Sequence, residues 1–592
     1  MGATKDQSLV INSDGNTLVC ALPGSGKTYV LIALTEKLLA SDKDYSIHLL
    51  TFTDAGRVEL TERLHKTLST RDLSRVIVST FHSTALSMTK KKLNRRLLMN
   101  NELTLFVKSV LNEADHLDLV CRDSIKVHAL QRLFDEMGRK QNHEEDYSHT
   151  DIALYELYKT MMYNQGKTDF NIICQLAVSW LAQNEIEPVR ATHILVDEFQ
   201  DTDELQYMWL REHALKGKKL VVVGDDDQAI YSFRGGQGYS NMVAFQQEFD
   251  ADAYVLRDCF RCSKEVLKKA GKLITYNNPN RIDKPMNAVR EDVGTVTIVK
   301  AGSPDNQLDL IYNAISQSPH TWAVIARNNI MLDAVEGIIQ GHNIPYNRKG
   351  GKSFFDGVAP YSLIQLSAVI TGRYDEQTLQ RALSSIALPT VEITRLIQSC
   401  RQANCTFGNL KASDIGNNRD AIKLHALAEG WQDIPAGQEE RKKIYMEKVV
   451  KILQFHLDKR DMKHAEAIGK VIGARNWESL GESIKKLAAS LDGRKKRNDG
   501  DTEPKLTLIT MHSSKGLQFD NVWITCAEDG GIPSKEALTE GKEEEERRLL
   551  YVAMTRAIYN LHMSYAVKPS VFLYEIDEER VHDLESNEND TN

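Results

Sequence analysis

Short apolar runs and longer helical periods alternate along this chain. Leu18-Val19-Cys20 is a brief apolar run, and Tyr29 to Ala40 then carries Val30, Leu31, Ala33, Leu34, Leu38 and Leu39 at helical spacing. His193 to Val196, Leu220 to Val223, Thr295 to Val299, Trp322 to Ala326 and Leu506 to Thr510 read the same way as the first run. Uninterrupted apolar runs of this length are what strands buried on both faces of a parallel sheet require. Between Phe81-His82 and Asp169 the pattern is helical and rich in charge, and from about 360 to 500 it is helical again. No internal repeat is present. Strands alternating with helices predict an α/β protein.

At roughly 150 residues per domain, 592 residues suggest about four compact units. A hydrophobic fraction of 42% and a charged fraction of 26% exclude a disordered or fibrous chain. No apolar run approaches the ~20 residues of a membrane span, so no membrane partner is expected. The first ten residues, MGATKDQSLV, have neither the basic start nor the apolar stretch of a leader, and the expected location is cytoplasmic. The eight cysteines are scattered, and Cys259-Phe-Arg-Cys262 is the one CxxC. With no second pair to complete four ligands, it reads as buried thiols rather than a zinc site. The net charge of −8 argues weakly against nucleic acid as a partner.

The chemistry begins at Ala21-Leu-Pro-Gly24-Ser25-Gly26-Lys27-Thr28, set between the first apolar run and its helix. Strand, glycine-rich turn and helix form the setting of a phosphate-binding loop. The Gly24-Ser25-Gly26 turn lets backbone N–H groups face phosphate oxygens, and the helix N-terminus adds partial positive charge. Lys27 is expected on the β- and γ-phosphates and Thr28 on magnesium, which predicts ATP and Mg2+ as cofactors. His193 to Val196 ends in Asp197-Glu198. Asp197 suits a metal and Glu198 suits a base that polarises water. After Leu220 to Val223 come Gly224-Asp-Asp-Asp-Gln228, Tyr231, Phe233 and Arg234. Gln228 can sense a γ-phosphate, and the two aromatics can stack on a base.

Taken in order, these stretches resemble the UvrD/Rep-like helicases of superfamily 1A across nearly the whole chain. Gln7 stands where the family has its adenine-reading glutamine. Thr51-Phe52-Thr-Asp-Ala-Gly56 resembles motif Ia, Thr80-Phe81-His82-Ser83 motif Ib, and Asp169-Phe170 the pair ahead of the acidic strand. Phe260-Arg261-Cys-Ser263 resembles motif IV, Thr510-Met-His512-Ser-Ser-Lys515-Gly-Leu-Gln518-Phe519 motif V, and Glu544 to Ala557, with Arg556, motif VI. The resemblance implies two RecA-like parallel-sheet motor lobes, each with a mainly helical insertion. It implies an ATPase that moves 3′ to 5′ on single-stranded DNA and unwinds duplex at single-strand/double-strand junctions. Catalytic roles then fall to Lys27, Glu198, Gln228, Arg261 and Arg556. Nucleotide contacts fall to Gln7, Gly24, Ser25, Gly26, Lys27, Thr28, Arg261, Gln518 and Arg556, and the metal to Thr28 and Asp197. Thr51, Phe52, Thr80, Phe81, His82, Tyr231, Phe233 and His512 become candidate DNA contacts.

The sequence departs from the family in places. Gln518 replaces the usual glutamate, which keeps a hydrogen bond but loses charge assistance of ~1 kcal/mol. Asp258-Cys259-Phe260-Arg261 replaces Gln-Asn-Tyr-Arg, and Asp54-Ala-Gly56 lacks a common lysine. The expected divisions are lobe 1A at 1–84 and 166–254, insertion 1B at 85–165, lobe 2A at 255–359 and 501–574, insertion 2B at 360–500, and an acidic tail at 575–592. Lys90, Lys91, Lys92, Arg95 and Arg96 of the first insertion read as a solvated face or a phosphate contact, and Gly493 to Gly500 as a linker. The tail holds eight acids and one arginine, so nearly all of the net charge sits there, and its end is expected to be disordered. Two other readings share the same ATP residues. One is a translocase that strips proteins from single strands, and the other a regulatory ATPase subunit of a nuclease or defence complex; a separate nuclease, repair or replication protein is the partner expected.

Overall fold

The computed structural model describes residues 2–453, 456 and 504–586, apart from 42–43, 122–123, 141–145, 233–234, 317, 342–343, 351–357 and 433–438. The chain forms two compact units: residues 1–297, 529–561 and 570–592, and residues 298–528 and 562–569.

Unit 1 is built on a six-stranded sheet of β1 (Thr17–Ala21), β2 (Ile47–Thr51), β3 (Val76–Thr80), β4 (His193–Val196), β5 (Lys219–Gly224) and β6 (Asp252–Leu256). The strand order is β3-β2-β4-β5-β1-β6, and every pairing is parallel. Because β1 lies between β5 and β6, the turn after β1 and the loops after β4 and β5 emerge at the same C-terminal edge, where an open α/β sheet binds ligands. The apolar runs explain the order. β1, β2 and β4 are buried at every position, which only interior strands tolerate. Helices cover both faces, with one core around Leu18, Ile194, Val222 and Phe199 and another around Val19, Leu31, Leu195 and Val223. Alternate residues of one strand thus feed opposite layers.

Helices α1 (Lys5–Ile11), α2 (Lys27–Ala40) and α3 (Phe81–Thr89) flank this sheet. The first insertion supplies α4 (Asn100–His116), α5 (Val127–Gly138) and α6 (His149–Asn164), followed by α7 (Phe170–Ala182). Their own core of Phe106, Val110, Leu130, Phe134, Tyr155 and Tyr158 makes this a separately packed layer of unit 1. Its basic stretch is largely committed internally. Lys92 pairs with Glu185, Arg96 pairs with Glu102, and Arg95 lies 4.5 Å over the Tyr163 ring.

Unit 1 also takes in α8 (Lys264–Ile274), α9 (Glu543–Met554) and α10 (Val571–Ser586). Segments 255–297 and 529–561, expected with the second lobe, thus pack with the first sheet, and buried ion pairs described below are the physical reason. The expectation of a disordered tail is corrected for 575–586, which are helical. Phe572, Leu573, Ile576 and Val581 are fully buried, an apolar stripe that outweighs the acids around it. The Arg547 guanidinium donates to both carboxylate oxygens of Glu575 at 2.8 Å, and Lys269 donates to Asp577 at 2.5 Å. Residues 587–592 lie outside the described residues.

Unit 2 carries the second six-stranded sheet, of β7 (Thr295–Lys300), β8 (Trp322–Ala326), β9 (Tyr346–Lys349), β10 (Leu506–Thr510), β11 (Phe519–Ile524) and β12 (Ala557–Tyr565). The order is β7-β12-β11-β8-β10-β9, with β8 parallel to both β10 and β11 and β9 parallel to β10. The mixed α/β character and the two parallel-stranded sheets agree with the expected fold class. Between β9 and β10 runs a helical layer that includes Val358–Ile370, Glu376–Ser385, Thr390–Ala403 and Arg419–Gln432, with Leu363, Leu383, Phe407 and Leu424 in its core. The expected linker at 493–500 lies outside the described residues. Among the described residues, no helix is long and apolar enough to cross a membrane.

Candidate functional site

The turn from β1 into α2 requires its glycines. Gly24 and Gly26 have φ of 68° and 87°, a region that side chains disfavour. A Cβ on Gly24 would stand 2.5 Å from the Arg261 Cβ, and one on Gly26 would stand 2.9 Å from Gln7 Nε2. Two sequence-distant residues thus close on the loop. Gln7 Nε2 donates to the Ser25 carbonyl at 3.0 Å, while its Oε1 accepts from the Thr4 N–H at 3.0 Å in a capping box on α1. The Phe260 N–H donates to the Gly24 carbonyl at 3.0 Å, which seats Arg261 beside the loop.

Lys27 Nζ donates to Glu198 Oε2 at 2.9 Å. Burial pushes the Lys27 ammonium down, but the carboxylates of Glu198, Asp225 and Asp197 outweigh it and hold the group charged. Burial, then the Glu198 charge, pushes the Asp197 carboxyl up to about 7 against the pull of Lys27. Glu198 has a left-handed backbone, φ 53°, unusual for a residue with a side chain. Gln200 holds it there. Its Nε2 donates to Glu198 Oε2 at 2.6 Å, and its Oε1 accepts from the Asp225 N–H at 2.9 Å. Gln200 was not singled out from the sequence, although it lies two residues past the acidic pair.

From Asp225 a chain of contacts reaches the arginines. Gln228 Nε2 donates to Asp225 Oδ2 at 2.6 Å, and Arg556 Nη2 donates to Gln228 Oε1 at 3.2 Å. Arg556 is 1% exposed. Burial and then the charge of Arg261 push its guanidinium down to about 9. Arg261 Nη1 donates to the Thr555 carbonyl at 3.4 Å, so both arginines gather at the end of α9. Two guanidinium groups this close favour a polyanion beside them.

Behind Gln228, Lys284 Nζ sits 3.0 Å from Asp225 and 3.0 Å from Asp227, and also pairs with Asp226. Arg281 adds a two-pronged contact to Asp227 at 2.9 and 2.8 Å. The three carboxylates lie close enough to hold an ion, but the Lys284 ammonium takes that place. Lys284 and Arg281 also went unnoticed in the sequence, since their partners are more than fifty residues away. This buried cluster is what ties segment 275–289 to the loop after β5.

Two observations test the fit of a nucleotide with magnesium. Ser25 Oγ is buried in the loop with no hydrogen-bond partner among the described residues, as a donor waiting for phosphate would be. Thr28 and Asp197 offer hard oxygen donors, which magnesium prefers.

The candidate DNA contacts divide. Phe52, Thr80, His82, Tyr231 and His512 are partly accessible. Thr51 and Phe81 are 3% and 5% exposed. Phe81 packs at 5.9 Å against Trp209 and 5.8 Å against Phe52. His82 packs at 5.0 Å against a tilted Phe170 ring, and the two line a cavity of about 790 Å³ with His128, Arg132 and Arg139. Asp169 caps α7, accepting from the Ile172 N–H at 2.7 Å. Gln518 is exposed and belongs with His512 to unit 2. Phe233 lies outside the described residues.

Comparison with known proteins gives the same direction. The family model for the UvrD/REP helicase N-terminal domain matches residues 3–250, and that for the UvrD-like helicase C-terminal domain matches residues 411–568. The chain is 27% identical to DNA helicase II of Escherichia coli (strain K12), over 98% of this chain and 88% of that protein. It is 25% identical to the ATP-dependent DNA helicase Rep of Buchnera aphidicola subsp. Acyrthosiphon pisum, over 96% of this chain and 97% of that protein. Identity to the ATP-dependent DNA helicase PcrA of Staphylococcus aureus (strain MRSA252) is also 25%, over 96% and 84%.

Proposed function

Since this chain belongs to the UvrD/Rep-like helicases of superfamily 1A, we propose that it moves 3′ to 5′ on single-stranded DNA and opens duplex at single-strand/double-strand junctions. It is an ATP-dependent DNA helicase, and hence a DNA-dependent ATPase. The observation that carries the site assignment is the continuous contact path from Lys27 through Glu198, Gln200, Asp225 and Gln228 to Arg556.

The chemistry follows from the partners each group must exchange. Lys27 is paired with Glu198, and triphosphate oxygens are stronger acceptors for its ammonium. Moving Lys27 onto phosphate frees the Glu198 carboxylate to orient and polarise water. Magnesium, when bound through Thr28 and Asp197, supplies charge that offsets the leaving diphosphate. Arg261 and Arg556 stabilise charge on the transferring phosphoryl group. Gln228 touches Arg556 and, through Asp225, Gln200, so it can report that state to the loop that carries Tyr231. The proposed division of labour assigns 1–84 and 166–254 to the first motor lobe, 85–165 and 360–500 to the insertions, and 255–359 and 501–574 to the second lobe, of which 255–297 and 529–561 fall in unit 1. Phe52, Thr80, His82, Tyr231 and His512 are the proposed strand contacts, joined by the aromatic and basic lining of the cavity at His82. Stacking and phosphate contacts of this kind are tolerant of sequence.

The test is ATP turnover with and without single-stranded DNA. Turnover should rise strongly with DNA in the native protein. The Glu198→Gln variant should bind ATP and fail to turn it over. Equal turnover with and without DNA would contradict the reading.

A further inference from the structure

Cys259 and Cys262 have no part in the mechanism above, yet they flank one of its arginines. Cys259 lies on a two-residue strand, Asp258–Cys259, that pairs in parallel with Asn287–Ala288. Cys262 directly precedes Ser263, the residue that caps α8. Both thiols are completely buried. The turn between them folds back on itself, with the Cys262 N–H donating to Cys259 Sγ at 3.4 Å. Cys262 Sγ lies 3.6 Å from the Thr555 carbonyl, the same oxygen that accepts from Arg261 at 3.4 Å. The Thr555 hydroxyl in turn accepts from Arg556 at 3.1 Å. The two cysteines therefore bracket Arg261 in the chain, and Cys262 shares its anchor.

The two thiols also differ in character. A hydrogen bond from Cys262, opposed by burial and aided by backbone N–H groups and the Arg261 charge, brings the Cys259 thiol down to about 6. The same hydrogen bond, with burial, pushes Cys262 up. The two sulfurs are thus pushed in opposite directions, the asymmetry of an attacking and a resolving cysteine.

We propose that Cys259 and Cys262 form an oxidisable dithiol, that hydrogen peroxide converts it to a disulfide, and that the disulfide displaces Arg261 and suppresses ATP hydrolysis. The steps balance. The Cys259 thiolate attacks one peroxide oxygen, an S–O bond forms, the O–O bond breaks, and hydroxide leaves and is protonated to water. The Cys262 sulfur then attacks the sulfenic sulfur. The S–S bond forms, the S–O bond breaks, and the Cys262 proton leaves with the hydroxyl as a second water. Two thiols lose two electrons in total, and one peroxide becomes two waters. Burial selects a water-sized oxidant over a bulky disulfide. Oxidation removes the thiolate that accepts from the Cys262 N–H and the S–H facing Thr555. Both contacts hold the turn that aims Arg261, and Arg261 in turn packs against Gly24.

The experiment uses the full chain, reduced and then exposed to hydrogen peroxide. Free thiols are alkylated, and the peptide containing residues 259–262 is weighed. DNA-stimulated ATP turnover is followed in parallel. The expected result is a loss of two hydrogens in that peptide, with turnover falling roughly tenfold or more and returning after dithiothreitol. Cys262→Ser, and the Cys259→Ser/Cys262→Ser pair, should keep their turnover under peroxide, and Cys262→Ala serves where serine impairs folding. The peptide mass stands apart from the ATPase assignment, so failure of one is distinguishable from failure of the other. Two thiols at 259 and 262 that remain free to alkylate would overturn the proposal. So would a disulfide that leaves turnover unchanged, or an equal loss in the variants, which would point to another thiol such as the exposed Cys121.

Discussion

Lys27 and Arg556 occupy opposite ends of one contact path, and their removal should act differently. Lys27→Ala takes away the charge that meets the phosphates, and steady-state turnover should disappear. Arg556→Ala should leave DNA affinity largely intact while cutting turnover by ~10³-fold, the scale of a lost arginine finger. Anisotropy with a labelled strand and a phosphate-release assay separate the two effects. Asp203 gives a pH prediction. It accepts from the Gln206 N–H at 2.9 Å, and burial pushes its carboxyl up from 3.8 to about 6. As pH rises through that window the unfolded chain gives up its proton first, so unfolding becomes easier and the penalty is complete above about 6. Asp203→Asn keeps a cap without the charge. Urea midpoints should favour the variant at pH 7.5, with the advantage gone by about pH 4. At this scale the sequence was most legible where spacing is strict. The glycines before Lys27 and the Asp197-Glu198 pair stood out because a phosphate loop and an acidic strand end admit few alternatives. Gln200, Arg281 and Lys284 did not, because their roles exist only once distant loops meet. The contact of Phe81 with Trp209 was hidden for a related reason, since an aromatic in a motif reads alike whatever it packs against.

At the scale of elements, strands were easier to find than the partners of helices. β1, β4, β5, β8 and β10 were visible as apolar runs, and the helical insertion between 85 and 165 as charge-rich periods. The last helix was hidden by its acids. Phe572, Leu573 and Ile576 are buried before a kink at Asp577 and Val581 after it, but eight carboxylates nearby suggested a solvated tail. Arg547 holds this helix through Glu575 and also donates to Asn277 at 2.7 Å. Arg547→Ala leaves the Glu575 carboxylate buried without its cation and should lower stability by about 3 kcal/mol, read from the urea midpoint. A change within a few tenths of a kcal/mol would show that α10 is held by its apolar face alone.

At the scale of the whole molecule, the length estimate of about four units resolved into two sheets, each accompanied by a helical layer. The units do not divide where the motifs divide. Segments carrying Arg261 and Arg556 pack with the P-loop sheet, fastened by Lys284 among three aspartates. The net charge also changed meaning. Asp225, Asp226, Asp227 and Glu575 are buried and matched by Arg281, Lys284 and Arg547, so these carboxylates count in the composition but add little to the field outside. The local field near exposed sites, not the total, then governs binding. The central claim is directional, ATP-driven strand separation. It is tested most directly by displacement of a labelled strand from otherwise identical duplexes bearing a 3′ or a 5′ single-stranded tail. Displacement of the 3′-tailed duplex alone, lost with a non-hydrolysable ATP analogue, is the predicted result. Displacement of the 5′-tailed duplex alone, or of neither while ATP is turned over, would contradict it.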